Sequence, residues 1–133
     1  MPVIDFSQDD LLRGKIVTPG WYLVELGQFT QKLAKSGETN NYIFEDTKII
    51  KNAETGSEEF TGVPLNILFS GHPKAKGFMV GFLSALGAEI KAGSRFNIEN
   101  GAGKQIEVFV DNDIYEGRTV NRINHMYRTV GSV

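Results

Sequence analysis

The chain has 133 residues, 41% of them hydrophobic and 23% charged, with a net charge of −2. This is enough for one domain with a hydrophobic core and is ordinary for a globular chain, which argues against global disorder. No apolar run approaches the roughly 20 residues that a bilayer-crossing helix needs. The absence of cysteine excludes disulfides, thiol catalysis and cysteine-ligated zinc. The opening Met1-Pro2-Val3-Ile4-Asp5-Phe6 lacks the basic and long apolar regions of a secretory signal, so the expected location is cytoplasmic.

Ser7 is placed to cap a short helix that carries Asp9 and Asp10 in its first turn and stops at Gly14. Residues 1–19 are expected to form an extension packed on the rest of a single domain spanning 1–133, since there is no repeat, low-complexity segment or linker. After the Pro19-Gly20 turn, β-branched and aromatic residues mark a strand from Gly20 to Lys32. Gly27 interrupts it, where a residue without a Cβ permits the bend that lets one strand serve both sides of a small barrel. Lys32 to Asn40 is a loop whose Lys32, Lys35 and Ser36 suit contact with phosphates, although a solvated hairpin tip fits the same residues.

Asn41 to Lys51 and Gly62 to Ser70 read as the next two strands, separated by a polar, acidic stretch from Ala53 to Glu59. In a regular strand Tyr42, Phe44, Asp46 and Lys48 share one face and Ile43, Thr47 and Ile49 the other; either could be inward, and Tyr42 and Lys48 are assigned to the binding surface. A helix is expected over Pro73 to Leu86, with Ala75, Phe78, Met79, Phe82, Leu83 and Leu86 forming an apolar face that plugs one end of the barrel. Pro73 suits its first turn and Gly87 its stop, and Gly77 and Gly81 are expected to permit close backbone packing. Asn100-Gly101 predicts a turn after a short accessory strand at Arg95 to Ile98. Strands resume over Lys104 to Asp111 and Tyr115 to Tyr127.

A β-β-β-α-β-β order matches the five-stranded Greek-key OB-fold barrel with its helix between the third and fourth strands, a class that binds oligonucleotides or oligosaccharides on one sheet face and two loops. Enzyme signatures are missing. Gly101-Ala102-Gly103-Lys104 fails as a phosphate-binding loop because Gln105 stands at the magnesium-ligating position and Ile98 where a glycine is required. His72 and His125 are the only histidines, there is no helical H-E-x-x-H, and Ser70-Gly71-His72 is a strand-to-helix turn rather than a nucleophile elbow. No catalytic residue, metal or cofactor is assigned.

The closing segment concentrates positive charge: from Ile114 onward Arg118, Arg122, Arg128 and His125 face a single acid, Glu116. Tyr115, Arg118, Asn121, Arg122 and Asn124 put an aromatic ring, guanidinium donors and amides on extended backbone, which suits phosphate pairing, base stacking and base-edge contacts. A solvated edge strand with Val120 and Ile123 inward fits those residue types as well.

Gly20-Trp21-Tyr22, the Lys32-x-x-Lys35-Ser36-Gly37 loop, Phe82-Leu83-x-x-Leu86-Gly87 and Tyr115-x-Gly117-Arg118-x-x-Asn121-x-Ile123 resemble a phage family of single-domain OB-fold single-stranded DNA-binding proteins, over about Gly20 to Arg128. The resemblance implies a role in phage DNA replication or recombination within the host cytoplasm, coating exposed single-stranded DNA without chemistry. Replication or recombination proteins and further copies of the chain are compatible partners. Many proteins with this job recruit partners through an acidic C-terminal tail, and this chain ends Thr129-Val130-Gly131-Ser132-Val133 instead. The alternative is an OB-fold protein-interaction or virion structural module that binds no nucleic acid, which a net charge of −2 favours; a small enzyme is a distant third.

Overall fold

The computed structural model describes residues 2–35 and 37–131. The first apolar run forms two strands, β1 (Gly20–Glu25) and β2 (Gln28–Leu33), broken at Leu26-Gly27. β3 (Asn40–Asn52) runs antiparallel to both, pairing β2 through its first half and β1 through its second. Gly27 makes the corner: a Cβ there would lie 1.8 Å from the Glu45 carbonyl oxygen, so the chain turns against β3 only with glycine at this point. The matching irregularity in β3 lies between Phe44 and Thr47, where Asp46 has a φ of 53°. Thr47 is fully buried and ties the two together; its hydroxyl accepts from the Gly27 N–H at 3.1 Å and donates to the Phe44 carbonyl at 3.2 Å.

β4 (Pro64–Ser70) pairs the opposite edge of β3, β5 (Gln105–Tyr115) pairs β1, and β6 (Arg118–Arg128) pairs β5. The protein is therefore mainly β, with one antiparallel sheet in the order β2-β3-β1-β5-β6 and β4 beside β3. No ladder joins β4 to β6, and the sheet is not closed. The core lies on the inner face, where Tyr22, Val24, Leu26, Phe44, Ile67 and Val108 are almost wholly buried.

Two expectations about strands are corrected. The fourth strand does not stop at Asp111; β5 continues to Tyr115, and Glu116-Gly117, both with positive φ (50° and 80°), forms the two-residue hairpin turn to β6. Arg95 to Ile98 is not a strand. Instead, Asn97 accepts from the Glu99 N–H and caps a 3-10 turn at Ile98–Gly101, whose Gly101 is packed against Phe44, Leu86 and Leu26.

The helical segment begins as a 3-10 turn at Pro73–Ala75, capped by His72, and continues as α2 (Lys76–Ala85), following α1 (Gln8–Arg13) near the start of the chain. α2 lies against β6 and β4. Phe82 is its anchor, with ring centroids 5.3 Å from Phe44, 4.9 Å from Phe69 and 5.3 Å from Tyr127. Ala85 is buried, and Met79, Leu83 and Leu86 cover the core margin. Phe78 departs from the expected face and is 55% exposed. Gly77 and Gly81 do not mediate close packing, because a Cβ at either would meet nothing within 4 Å. No described helix is long and apolar enough to cross a membrane.

At α1 the expected cap is present as a reciprocal pair: Asp10 N–H donates to Ser7 Oγ and Ser7 N–H to the Asp10 carboxylate. The bond from the Ser7 backbone holds the Asp10 carboxyl below the usual range. The extension meets the core through Leu12 and the buried Val17, while no residue of α1 is buried.

Two glycine substitutions should act in opposite directions. Gly81→Ala, in a solvent-facing helix interior, should stabilise by about 0.5–1 kcal/mol, whereas Gly27→Ala should destabilise by about 3 kcal/mol through backbone overlap. Denaturant unfolding of the two variants measures both.

Candidate nucleic-acid interface

Between the unpaired edges of β4 and β6 runs a groove of about 320 Å³, with Asn66 and Leu68 on one wall and Tyr115, Arg122 and Asp113 on the other. Its floor is apolar, made by the buried Ile67 and by Ile123 and Tyr127 at the core margin. A second hollow of about 420 Å³ continues it, sharing Asn66, Val120, Asn121 and Ile123, and reaches Arg118 on one side and Arg13 on the other. The two form one trough, with polar rims and the backbone groups of two sheet edges facing it.

Arg118 sits beside the hairpin turn, opposite Tyr115 in the β5–β6 register, and both side chains are exposed. Arg118 has no ion-pair partner among the described residues. Arg122 donates to the Asp113 carboxylate but keeps 62% of its side chain in solvent. Arg13 pairs with Asp46 at 2.9 Å and Lys32 with Glu45 at 3.4 Å, both also exposed. Exposed pairs of this kind contribute about 0–1 kcal/mol, so an incoming phosphate can replace the carboxylate at low cost.

The residues expected at the site divide into groups. Tyr115, Arg118 and Arg122 meet at the groove, and Asn124 is exposed farther along β6. Lys32, at the end of β2, and Lys48, half-buried on β3, do not line it, and Lys35 is exposed in the loop after β2. Ser36 lies outside the described residues.

Tyr42, assigned with Lys48 to one surface, is half-buried and away from the groove. It stands on the core side of β3, packed against the core with its ring stacked 6.1 Å from Phe29. The Asp46 irregularity shifts the alternation, so Tyr42 and Phe44 face inward with Thr47 and Ile49, while Lys48 faces out. Tyr42 and Lys48 therefore do not share a face. Asn121 lines the groove but has both amide ends occupied: Oδ1 accepts from the Val17 N–H and Nδ2 donates to the Lys15 carbonyl, each at 2.9 Å. It straps the N-terminal extension to β6. Val120 stands on the opposite face from the inward Ile123 and adds to the groove wall.

Sequence reasoning missed His125, Phe78 and Leu68. His125 has a φ of 53° and breaks the β6 alternation; its ring stacks on exposed Phe78 with centroids 4.7 Å apart, and Nδ1 lies 2.8 Å from the Tyr127 hydroxyl. Burial, reinforced by the Arg122 charge, pushes the imidazole below its ordinary pKa, and burial raises that of the Tyr127 phenol. Leu68, 47% exposed, stands between the buried Ile67 and Phe69, and the alternation of Leu65, Ile67 and Phe69 would have revealed it. Tyr115, Leu68 and Phe78 thus provide exposed apolar surface along the same seam.

If Asn121 is a strap, Asn121→Ala should lower stability by about 1–3 kcal/mol, because the Val17 N–H loses its partner in a partly buried site; a denaturant melt tests this. For His125, the folded chain binds the proton less tightly than the unfolded chain. Stability should therefore fall as pH drops below roughly 6.5 and continue to fall until the folded imidazole titrates. His125→Asn, which tolerates the positive φ, should show a shallower loss over that window in thermal melts. Comparison of the chain with known proteins gives no match, either to a family model or to a curated relative.

Proposed function

We propose that the chain is a single-stranded DNA-binding protein of the OB type, acting in phage DNA replication or recombination by coating exposed DNA with little sequence preference. The strand order supports the fold assignment: a bent first strand pairs with β3 on one side and β5 on the other, with the helix between β4 and β5. On this reading the unclosed seam between β4 and β6 is the open side of the barrel.

The observation that carries the functional reading is the groove itself, where Arg118, Arg122 and the exposed Tyr115 stand over an apolar floor. Guanidinium groups take phosphates, and Tyr115, Leu68 and the Phe78–His125 pair offer flat or apolar surface to unstacked bases. Lys32, Lys35 and Lys48, outside the groove, add weaker point charges. Neither α1 nor α2 presents a row of polar side chains suited to a duplex groove, so unstructured single strands should bind more tightly than a duplex of equal length.

A second reading, a protein-interaction or virion structural module, is favoured by the carboxylates on Arg13, Lys32 and Arg122 and by the net charge of −2. Titration of a labelled unstructured oligonucleotide at several salt concentrations separates the two. The DNA-binding reading expects affinity to fall steeply with salt, and Arg118→Ala with Arg122→Ala to reduce the log–log slope by roughly 0.7 for each lost phosphate contact. Asp113→Asn, which removes the competitor for Arg122, should tighten binding by up to about fivefold. Absence of binding at low salt would leave the interaction module.

A further inference from the structure

The segment before α1 carries three exposed apolar side chains within four residues. Val3 is 85% exposed, and Ile4 and Phe6 are each 72% exposed. Residues 2–7 belong to no helix or strand. In an extended chain side chains alternate sides, which puts Ile4 and Phe6 together on one side. The segment is also acidic, with Asp5 followed by Asp9 in the first turn of α1, and neither has an ion-pair partner among the described residues.

A complementary surface lies on another part of the fold. Between α2 and the residues that follow it is a groove of about 360 Å³ lined by Met79, Val80, Leu83, Ile90, Phe96 and Ile98. Its lining is predominantly apolar, and Val80 and Phe96 remain 45% and 43% exposed. Lys76 and Lys91 stand in its wall, and neither has an ion-pair partner among the described residues.

We propose that this groove receives the Val3–Phe6 segment of a second copy of the chain, with Ile4 and Phe6 entering the apolar hollow and Asp5 and Asp9 facing Lys76 and Lys91. Reciprocal exchange of two such arms closes a two-fold dimer, since each copy supplies one arm and one groove. The choice of a second copy follows from the charge match and from the presence of both an unpartnered apolar arm and an unpartnered apolar groove on one chain. The groove is formed by α2 and its following loop, apart from the β4–β6 seam, so the dimer leaves that trough open.

Sedimentation velocity over about a hundredfold range of protein concentration, without nucleic acid, should show a monomer–dimer equilibrium. Ile4→Asp with Phe6→Asp should weaken the dimer by roughly 100-fold or more. Val80→Asp with Phe96→Asp should do the same, and circular dichroism checks that each variant is folded. Mixing the arm variant with the groove variant should restore association through the one intact arm and groove. A wild-type chain that stays monomeric, a dimer that survives the arm substitutions, or folded variants that fail to complement on mixing would each overturn the proposal. None of these readouts depends on DNA binding.

Discussion

The close approach of Gly27 to the β3 backbone is the constraint from which the rest of the architecture follows. A single strand can pair with two different neighbours only if it bends between them, and the bend here brings two backbones closer than any Cβ allows. Thr47 makes the approach tolerable by satisfying the Gly27 N–H and the Phe44 carbonyl in a site from which water is excluded. The irregularity at Asp46 is the other half of the same junction. It resets the alternation of β3, so that Phe44 reaches Phe82 while Thr47 and Ile49 still face inward. Helix docking, core composition and the side of β3 that meets solvent all depend on this point.

The bend also curls the sheet until β4 and β6 approach across a groove without pairing. Unpaired edges invite association with other strands, and folded proteins ordinarily cover or charge them. Here both devices operate. α2 lies against β6 and β4, where Phe82 meets Phe69 and Tyr127. Elsewhere along the seam, the extension held by Asn121 brings Arg13, Gly14 and Ile16 to the trough. Between them the edge remains open, and that is where Arg122 and Tyr115 stand. The open stretch is bounded by packing on two sides, so the seam is left as a shallow trough rather than a deep pocket.

Much of the β framework was legible because alternation, turn formers and helix caps are local signals. Gly27 was readable as a bend since it interrupts an otherwise continuous apolar strand, and the Ser7 cap since its partner lies three residues away. The departures from the local pattern cluster where it meets a long-range constraint. A strict period of two puts Tyr42 on one face with Lys48, but Asp46, whose positive φ belongs to the junction with Gly27, breaks that period and turns Tyr42 to the core side. Gly77 and Gly81 have the spacing of a packing motif but lie on the open side of α2, and nothing within the helix reveals which side its neighbours occupy. Asn121 has the composition of a base-reading residue, yet its partners, Lys15 and Val17, are more than a hundred positions away. Amide side chains suit both roles, and only the fold distinguishes them.

The same distinction grades the arginines of the last strand. Arg128 is spent on structure: its Nε lies 2.5 Å from the largely buried Glu107 carboxylate, its guanidinium stacks 4.0 Å from the Trp21 ring, and the Gly131 N–H takes the other Glu107 oxygen. Removing one partner of such a pair strands a charge in a site with little water, so Arg128 is held in place by Glu107 as much as Glu107 is by Arg128. Arg122 is intermediate, bound to Asp113 but largely solvated. Arg118, beside the turn, has no acidic partner among the described residues. Charge committed to the fold thus decreases along β6 toward its hairpin, and the charge available to an external anion increases in the same direction. A chain with a net charge of −2 can in this way present a local positive field, because binding responds to charges that are unpaired and near the groove rather than to their sum.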